Sequence, residues 1–228
     1  MQLFGKPLEL LILDVDGVIL KIVSFLKRDL TAVAIKLGLP VELIEDHIAL
    51  VESGKTRGKP SLEEGVKELW PTLSHEQAVE FAMEFREQRR NHPWPVIEGS
   101  REAIQWFRKQ NIPIAICTTN DRKTLDNQLL AASIDPSWFV AFSTWESVYR
   151  KPHPKAFDHI FEATSVRRDH AVYVGDWYPD IVVARGGNVP FFAVLSGGIA
   201  HDFFVKEGVP ENRIIGRLSD LMSLVSPS

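Results

Sequence analysis

The chain has 228 residues, of which 45% are hydrophobic and 25% charged, enough for one domain or one and a half with a sizeable buried core. Thirty acidic against 26 basic residues leave a net charge of −4, which argues against disorder and against a surface built to grip nucleic acid or anionic membrane. The single cysteine, Cys117, excludes an internal disulfide and a multi-cysteine zinc site. No basic-then-apolar leader opens the chain, and the longest apolar run, Leu10 to Leu20, is broken by Asp14 and Asp16. A cytoplasmic protein is the expectation.

Leu8–Val15 reads as a continuous apolar strand, of the kind covered on both faces in a parallel sheet. From about residue 22 to 91 the pattern is helical only, with helices predicted near 24–37, 41–53, 61–70 and 74–91. Ser61 and Ser74 each begin an S-x-x-E/Q capping box, in which hydroxyl and later side chain satisfy orphan helix amides. His92-Pro-Trp-Pro95 ends the last helix. Alternation then takes over. Helices over Ser100–Gln110, Asp121–Ala132 and His153–Ser165 are interleaved with strands at Ile112–Thr118, Phe139–Ser143, Ala171–Gly175 and Pro190–Leu195. A weaker run at Arg213–Ile215 suggests an edge strand. This order implies a doubly wound parallel α/β sheet with an inserted helical cap. The core would be residues 1–20 and 95–228 and the cap residues 21–94, with hinges near 21 and 94.

Ligands of such sheets bind beyond the carboxyl ends of the strands. Those ends read Asp14-Val-Asp-Gly17, Thr118-Thr-Asn-Asp121, Tyr149-Arg-Lys-Pro-His-Pro154 and Gly175-Asp-Trp-Tyr-Pro-Asp180. Carboxylates, a hydroxyl and a lysine therefore gather on one rim. Two carboxylates about 5 Å apart repel by roughly 3 kcal/mol at an effective dielectric of 20, so the cluster calls for a cation. Hard oxygen donors favour Mg²⁺, which keeps water ligands and accepts a substrate phosphate. With Lys151 and Thr119 added, the set suits phosphoryl transfer. An EF-hand reading of Asp14 and Asp16 fails, because Val18 takes the third ligand position and no glutamate completes the loop.

The four segments resemble the four motifs of the haloacid dehalogenase superfamily, in its phosphatase branch with a helical cap after the first strand. Leu11-Ile-Leu-Asp-Val-Asp-Gly-Val18 resembles the first, Ile116-Cys-Thr-Thr-Asn120 the second, Arg150-Lys-Pro-His-Pro154 the third and Val174-Gly-Asp-Trp-Tyr-Pro-Asp-Ile181 the fourth. The resemblance implies a Rossmann-like core and a Mg²⁺-dependent phosphatase acting on a small phosphorylated metabolite. Asp14 would be the nucleophile and Asp16 the general acid and base. Thr119, Asn120 and Lys151 would bind phosphate, and Asp14, Asp16 and Asp176 the metal. Asp180 would orient Lys151 or a metal-bound water.

A phosphosugar mutase, a 2-haloacid dehalogenase and a non-catalytic binding protein are the alternatives; the presence of Asp16 disfavours the dehalogenase. A monomer or weak homodimer is expected. Trp177 stands where the family has a small residue, and Asn188 where it has a helix-ending glycine, a change the left-handed region tolerates. The basic loop Gly54-Lys-Thr-Arg-Gly-Lys59 offers Lys55, Arg57 and Lys59 as candidate specificity residues, although a solvated loop is the simpler reading. Trp70 and Trp94 are candidate cleft residues. Glu84, Arg86, Glu87, Arg89 and Arg90 read as an exposed helix face with local ion pairs.

Overall fold

A computed structural model describes every residue except Gly54, Thr56, Gly58, Pro60 and Ser228. The chain begins with a short hairpin, β1 (Gln2–Leu3) and β2 (Lys6–Pro7), turned by Phe4 and Gly5 at positive φ. It then enters β3 (Leu10–Leu13), whose four residues are all buried. Four helices follow without an intervening named strand: α1 (Val23–Lys36), α2 (Glu42–Glu52), α3 (Leu62–Leu69) and α4 (His75–Asn91). Ser61 accepts from the Glu64 amide, and Ser74 and Gln77 complete a reciprocal capping box, as their spacing predicts.

Helices and strands alternate from there. The order is α5 (Ser100–Lys109), β4 (Ile114–Cys117), α6 (Arg122–Ala131), β5 (Ala141–Ser143), α7 (Asp158–Thr164), β6 (Ala171–Gly175), α8 (Tyr178–Gly186) and β7 (Phe191–Val194). α9 (His201–Lys206), β8 (Ile214–Ile215) and β9 (Val225–Ser226) complete the chain. Six strands form a parallel sheet in the order β5-β4-β3-β6-β7-β8, a doubly wound α/β core with β8 at one edge as predicted. The chain runs from β3 outward to β5 and then crosses back to β6, so the switch point lies beside β3.

Register brings the strand ends level. Leu13 is paired with Ile116 on one side and Val174 on the other, so the residues after β3, β4 and β6 emerge together. Within β3 the pleat sends Leu11 and Leu13 to one core and Leu10 and Ile12 to the other. The first core runs on into Leu30, Val33, Phe81, Phe85 and Trp94, so α1 and α4 share an apolar interior with the sheet. The two connections to the four helices lie side by side. Leu20 bridges Val96 antiparallel, and the Lys21 amide donates to the Pro95 carbonyl at 2.9 Å.

Two expectations need correction. The helix predicted from His153 begins only at Asp158, because residues 151–157 form consecutive turns. The His153 ring accepts from the Lys155 amide at 3.1 Å, a local bond that competes with helix initiation. The sequence reading also missed the small antiparallel sheet β2-β1-β9, since two-residue strands carry no period to detect. Asn188, by contrast, adopts the left-handed conformation at φ 53°, as its place after α8 suggests. No helix is long and apolar enough to cross a membrane among the described residues.

Candidate active site

Asp14, the first residue beyond β3, is buried and both of its carboxylate oxygens are engaged. Oδ1 accepts from the Val15 amide at 2.7 Å, and Oδ2 lies 2.8 Å from Lys151 Nζ. Lys151 is only 4% exposed and also meets Asp180 Oδ1 at 2.7 Å. Asp180, in the first turn of α8, is a hub. Its Oδ1 also accepts from the Tyr173 hydroxyl, while Oδ2 accepts from the Asp176 and Trp177 amides at 3.1 Å each. An acidic side chain at the third position of a helix bonds the amides before it, which ties the loop after β6 to α8.

Oxygens of Asp14, Asp176 and Asp180 lie within 4.8 Å of one another, all three residues buried. A side-chain carbon on Gly17 or Gly197 would collide with Asp176 Oδ2, so these two backbones form a close cradle around that carboxylate. Gly17 also sits at φ 77°, a conformation few other residues adopt.

The electrostatics follow from one ammonium among three buried carboxylates. Burial pushes the Asp14 carboxyl up to about 7, with Asp180 adding to the rise and Lys151 opposing it. Burial likewise raises Asp176 well above the usual carboxylate range, reinforced by Asp180 and Asp14. Burial would lower Lys151, but Asp14 and Asp180 together outweigh it and hold the ammonium firmly charged. The group is short of positive charge, its donors are hard oxygens, and the Gly17 and Gly197 backbones close around the Asp176 carboxylate. A small divalent cation such as Mg²⁺ fits this donor set.

Asp16 faces the helical layer. Arg89 of α4 grips it in a fork, Nη2 to Oδ1 at 2.8 Å and Nη1 to Oδ2 at 3.0 Å. The same Nη1 donates to Asn120 Oδ1 at 2.6 Å, and Asn120 Nδ2 donates to Asp16 Oδ2 at 3.1 Å. The guanidinium also stacks 3.8 Å from the centre of the Trp94 ring. Arg89 is 3% exposed, so its assignment to a solvated face is wrong. The missed signal is its spacing. Ala78, Ala82, Phe85 and Arg89 recur every three or four residues on the buried side of α4. Its neighbours on α4 do form ion pairs: Glu84 with Lys36, Arg86 with Glu63, and Arg90 with Glu87. Asp29 of α1, also unremarked in sequence, is fully buried and accepts from Trp94 Nε1 at 2.7 Å.

The remaining candidates are spread more widely. Thr119 is exposed at the end of β4 and lines the cavity above the aspartates; Trp94 and Trp177 line it too. Trp70 does not. It packs on Phe81 and donates to the Pro40 carbonyl at 2.9 Å, inside the helical layer. Within the basic loop, Gly54, Thr56 and Gly58 lie outside the described residues. Lys55 is exposed, Arg57 pairs with Glu207 at 2.9 Å, and Lys59 lines the cavity while pairing with Glu68 at 3.3 Å. Cys117 is buried in β4, where burial pushes its thiol up to about 12.

The chain is similar to known proteins in sequence and fold. The haloacid dehalogenase-like hydrolase family matches residues 8–188, and the chain belongs to that family of hydrolases. A phosphoglycolate phosphatase of Pseudomonas savastanoi is 27% identical over 223 residues, covering 92% of this chain and 77% of its own. The pyrophosphatase PpaX of Bacillus cereus is 22% identical over 170 residues, 73% of this chain and 78% of its own. Among solved structures, a hydrolase from Pseudomonas syringae superposes with a TM-score of 0.72 at 19% identity, over 93% of this chain and 95% of that one. A haloacid dehalogenase superfamily hydrolase of subfamily IA from Geobacter sulfurreducens gives 0.68 at 21%, over 97% and 98%.

Proposed function

We propose that this hydrolase is a Mg²⁺-dependent phosphatase of a small phosphorylated metabolite, with Asp14 as nucleophile and residues 21–94 as a cap over the site. One observation carries the reading: a single buried lysine bonded to Asp14 and Asp180, with Asp176 beside them. That arrangement aims a buried carboxylate with a fixed cation beside it, the lysine opposing the rise in its pKa that burial causes. Relatives named as phosphoglycolate phosphatase and pyrophosphatase support phosphate chemistry.

In this reading an Asp14 oxygen attacks phosphorus as the bond from phosphorus to the leaving oxygen breaks. Asp16 gives that oxygen a proton. Asp16 then takes a proton from water, which attacks the aspartyl-phosphate and releases inorganic phosphate, restoring Asp14 as a carboxylate and Asp16 as a carboxylic acid. Lys151, Thr119 and Asn120 hold phosphoryl oxygens. Asp180 keeps Lys151 in place through the 2.7 Å bond. Asp14, the Asp16 carbonyl and Asp176 would hold the Mg²⁺, which supplies charge neutralisation for the transferring phosphoryl group.

The test is hydrolysis of benzyl phosphate and a panel of phosphorylated metabolites with Mg²⁺ and with a chelator. Asp14→Asn should lower kcat by at least about 10³-fold while leaving the thermal unfolding cooperative. Wild-type turnover in Asp14→Asn would remove the covalent mechanism.

A further inference from the structure

Above the aspartates lies a cavity of about 250 Å³, enclosed between the strand ends and α1, α3 and α4. Its floor is polar: Asp14, Asp16, Lys151 and Asp176. Its far wall is not. Leu26, Leu30, Val66, Leu69, Phe85 and Trp94 face it, most of them buried. We infer that the leaving group of the substrate is an apolar alcohol of ring size or larger, seated against this wall while its phosphate meets Asp14. The inference rests on the phosphatase reading and names the substrate class within it.

Charge accounting carries the argument. A second anionic group, such as the carboxylate of phosphoglycolate or the second phosphate of pyrophosphate, needs a cation free to receive it, because an unpaired buried charge is prohibitively costly. Each lysine and arginine among the described lining residues already has a carboxylate. Lys151 holds Asp14 and Asp180, Arg89 holds Asp16, Arg86 holds Glu63 at 3.0 Å, and Lys59 holds Glu68 at 3.3 Å. His47, the remaining basic side chain on the wall, is half-buried, and burial lowers its pKa, so it favours the neutral form. An apolar group needs none of these. It gains by leaving water, at about 25 cal/mol per Å² of surface removed.

Size points the same way. An apolar cavity of about 150 Å³ suffices for benzene, so the space here takes a ring beside the phosphoryl group at its floor.

The test compares benzyl phosphate, phosphoglycolate and pyrophosphate with Mg²⁺. Benzyl alcohol and glycolate leave with similar basicity, so the ratio of their kcat/KM values reports the cavity rather than intrinsic reactivity. Benzyl phosphate should lead phosphoglycolate by about tenfold or more. Leu26→Glu, at a half-buried wall position, should cut that lead by about tenfold, with Leu62→Gln as the milder second variant should Leu26→Glu not fold. Benzyl alcohol alone should also change the tryptophan fluorescence of the wild-type protein, since Trp94, Trp145 and Trp177 line the cavity. A lead below tenfold, or one unmoved in both variants, overturns the apolar leaving group and leaves the phosphatase reading standing. No turnover of any of the three overturns the phosphatase reading, and this inference with it.

Discussion

The floor and the wall of the cavity obey opposite rules. On the floor, Asp14, Lys151, Asp176 and Asp180 are polar, buried and held mainly by one another and by backbone amides. On the wall, α1, α3 and α4 present leucines, valines and aromatics, and the lysine and arginine side chains there are each paired with a carboxylate. The floor comes from loops after strands whose register forces them together. The wall comes from helices whose amphipathic stripes face inward. In the proposed reading, chemistry sits where geometry is tightest, and selection among substrates is left to replaceable packing. Arg89 is the exception that joins the two, a wall residue gripping a floor carboxylate.

The sharpest way to break this contrast is Lys151→Ala. It leaves Asp14 and Asp180 buried without their cation, and breaking such a pair costs about 3 kcal/mol, a fall in Tm of roughly 6–12 °C for a chain of this size. Activity should fall by about 10³-fold or more. The control on the wall is Leu69→Ala. It should cost about 2–3 kcal/mol of stability through its cavity and leave turnover of benzyl phosphate within roughly tenfold. Equal activity losses in the two variants, measured side by side with calorimetric Tm, would erase the division of labour.

Arg89→Ala probes the joint between the regions. Truncation leaves Asp16 and Asn120 oxygens without their donor, at about 2 kcal/mol, and should lower kcat by about tenfold as Asp16 loses its orientation. Arg89→Lys should recover little, because an ammonium cannot supply the planar two-point fork. Full kcat in Arg89→Lys would mean that charge alone matters at this position.

These residues also mark where sequence stops being informative. Asp14 and Asp176 were legible because a polar residue directly after a buried strand has few other reasons to be there; Lys151, well past the end of β5, was legible only through the motif it resembles. The helix caps at Ser61 and Ser74 were legible for a similar reason, being local and chemically specific. Arg89 was not. Its neighbours on α4 are charged too, and only the period of the buried face separates it from Arg86 and Arg90. The start of α7 was misplaced because turns over residues 151–157 stand where the first helical turns were expected, with the His153 ring accepting from the Lys155 amide. The paired cations of the wall depend on contacts between helices, such as Arg86 with Glu63, which no local pattern reveals.

The smallest expected effect isolates the floor by its titration. Asp14 has its pKa raised from an ordinary 3.8 to about 7, chiefly by burial. A carboxyl whose pKa is higher in the folded than in the unfolded state favours folding when protonated. Its contribution is complete below about pH 4 and is lost as pH rises through 7. Above that, the folded protein must hold the ionised carboxylate beside Asp176 and Asp180, and a divalent cation relieves the strain. Mg²⁺ at ten times its Kd should therefore stabilise the protein by about 1.4 kcal/mol at pH 8, a Tm increase of roughly 3–6 °C, and by much less at pH 5, where protons compete for the same oxygens. Asp14→Asn should remove most of the increment. Leu69→Ala, although less stable throughout, should retain it, because the wall takes no part in the titration. Thermal unfolding with Mg²⁺ and with chelator at both pH values decides the matter, and an equal Mg²⁺ shift at pH 5 and pH 8 would dissociate the cation from the ionised floor.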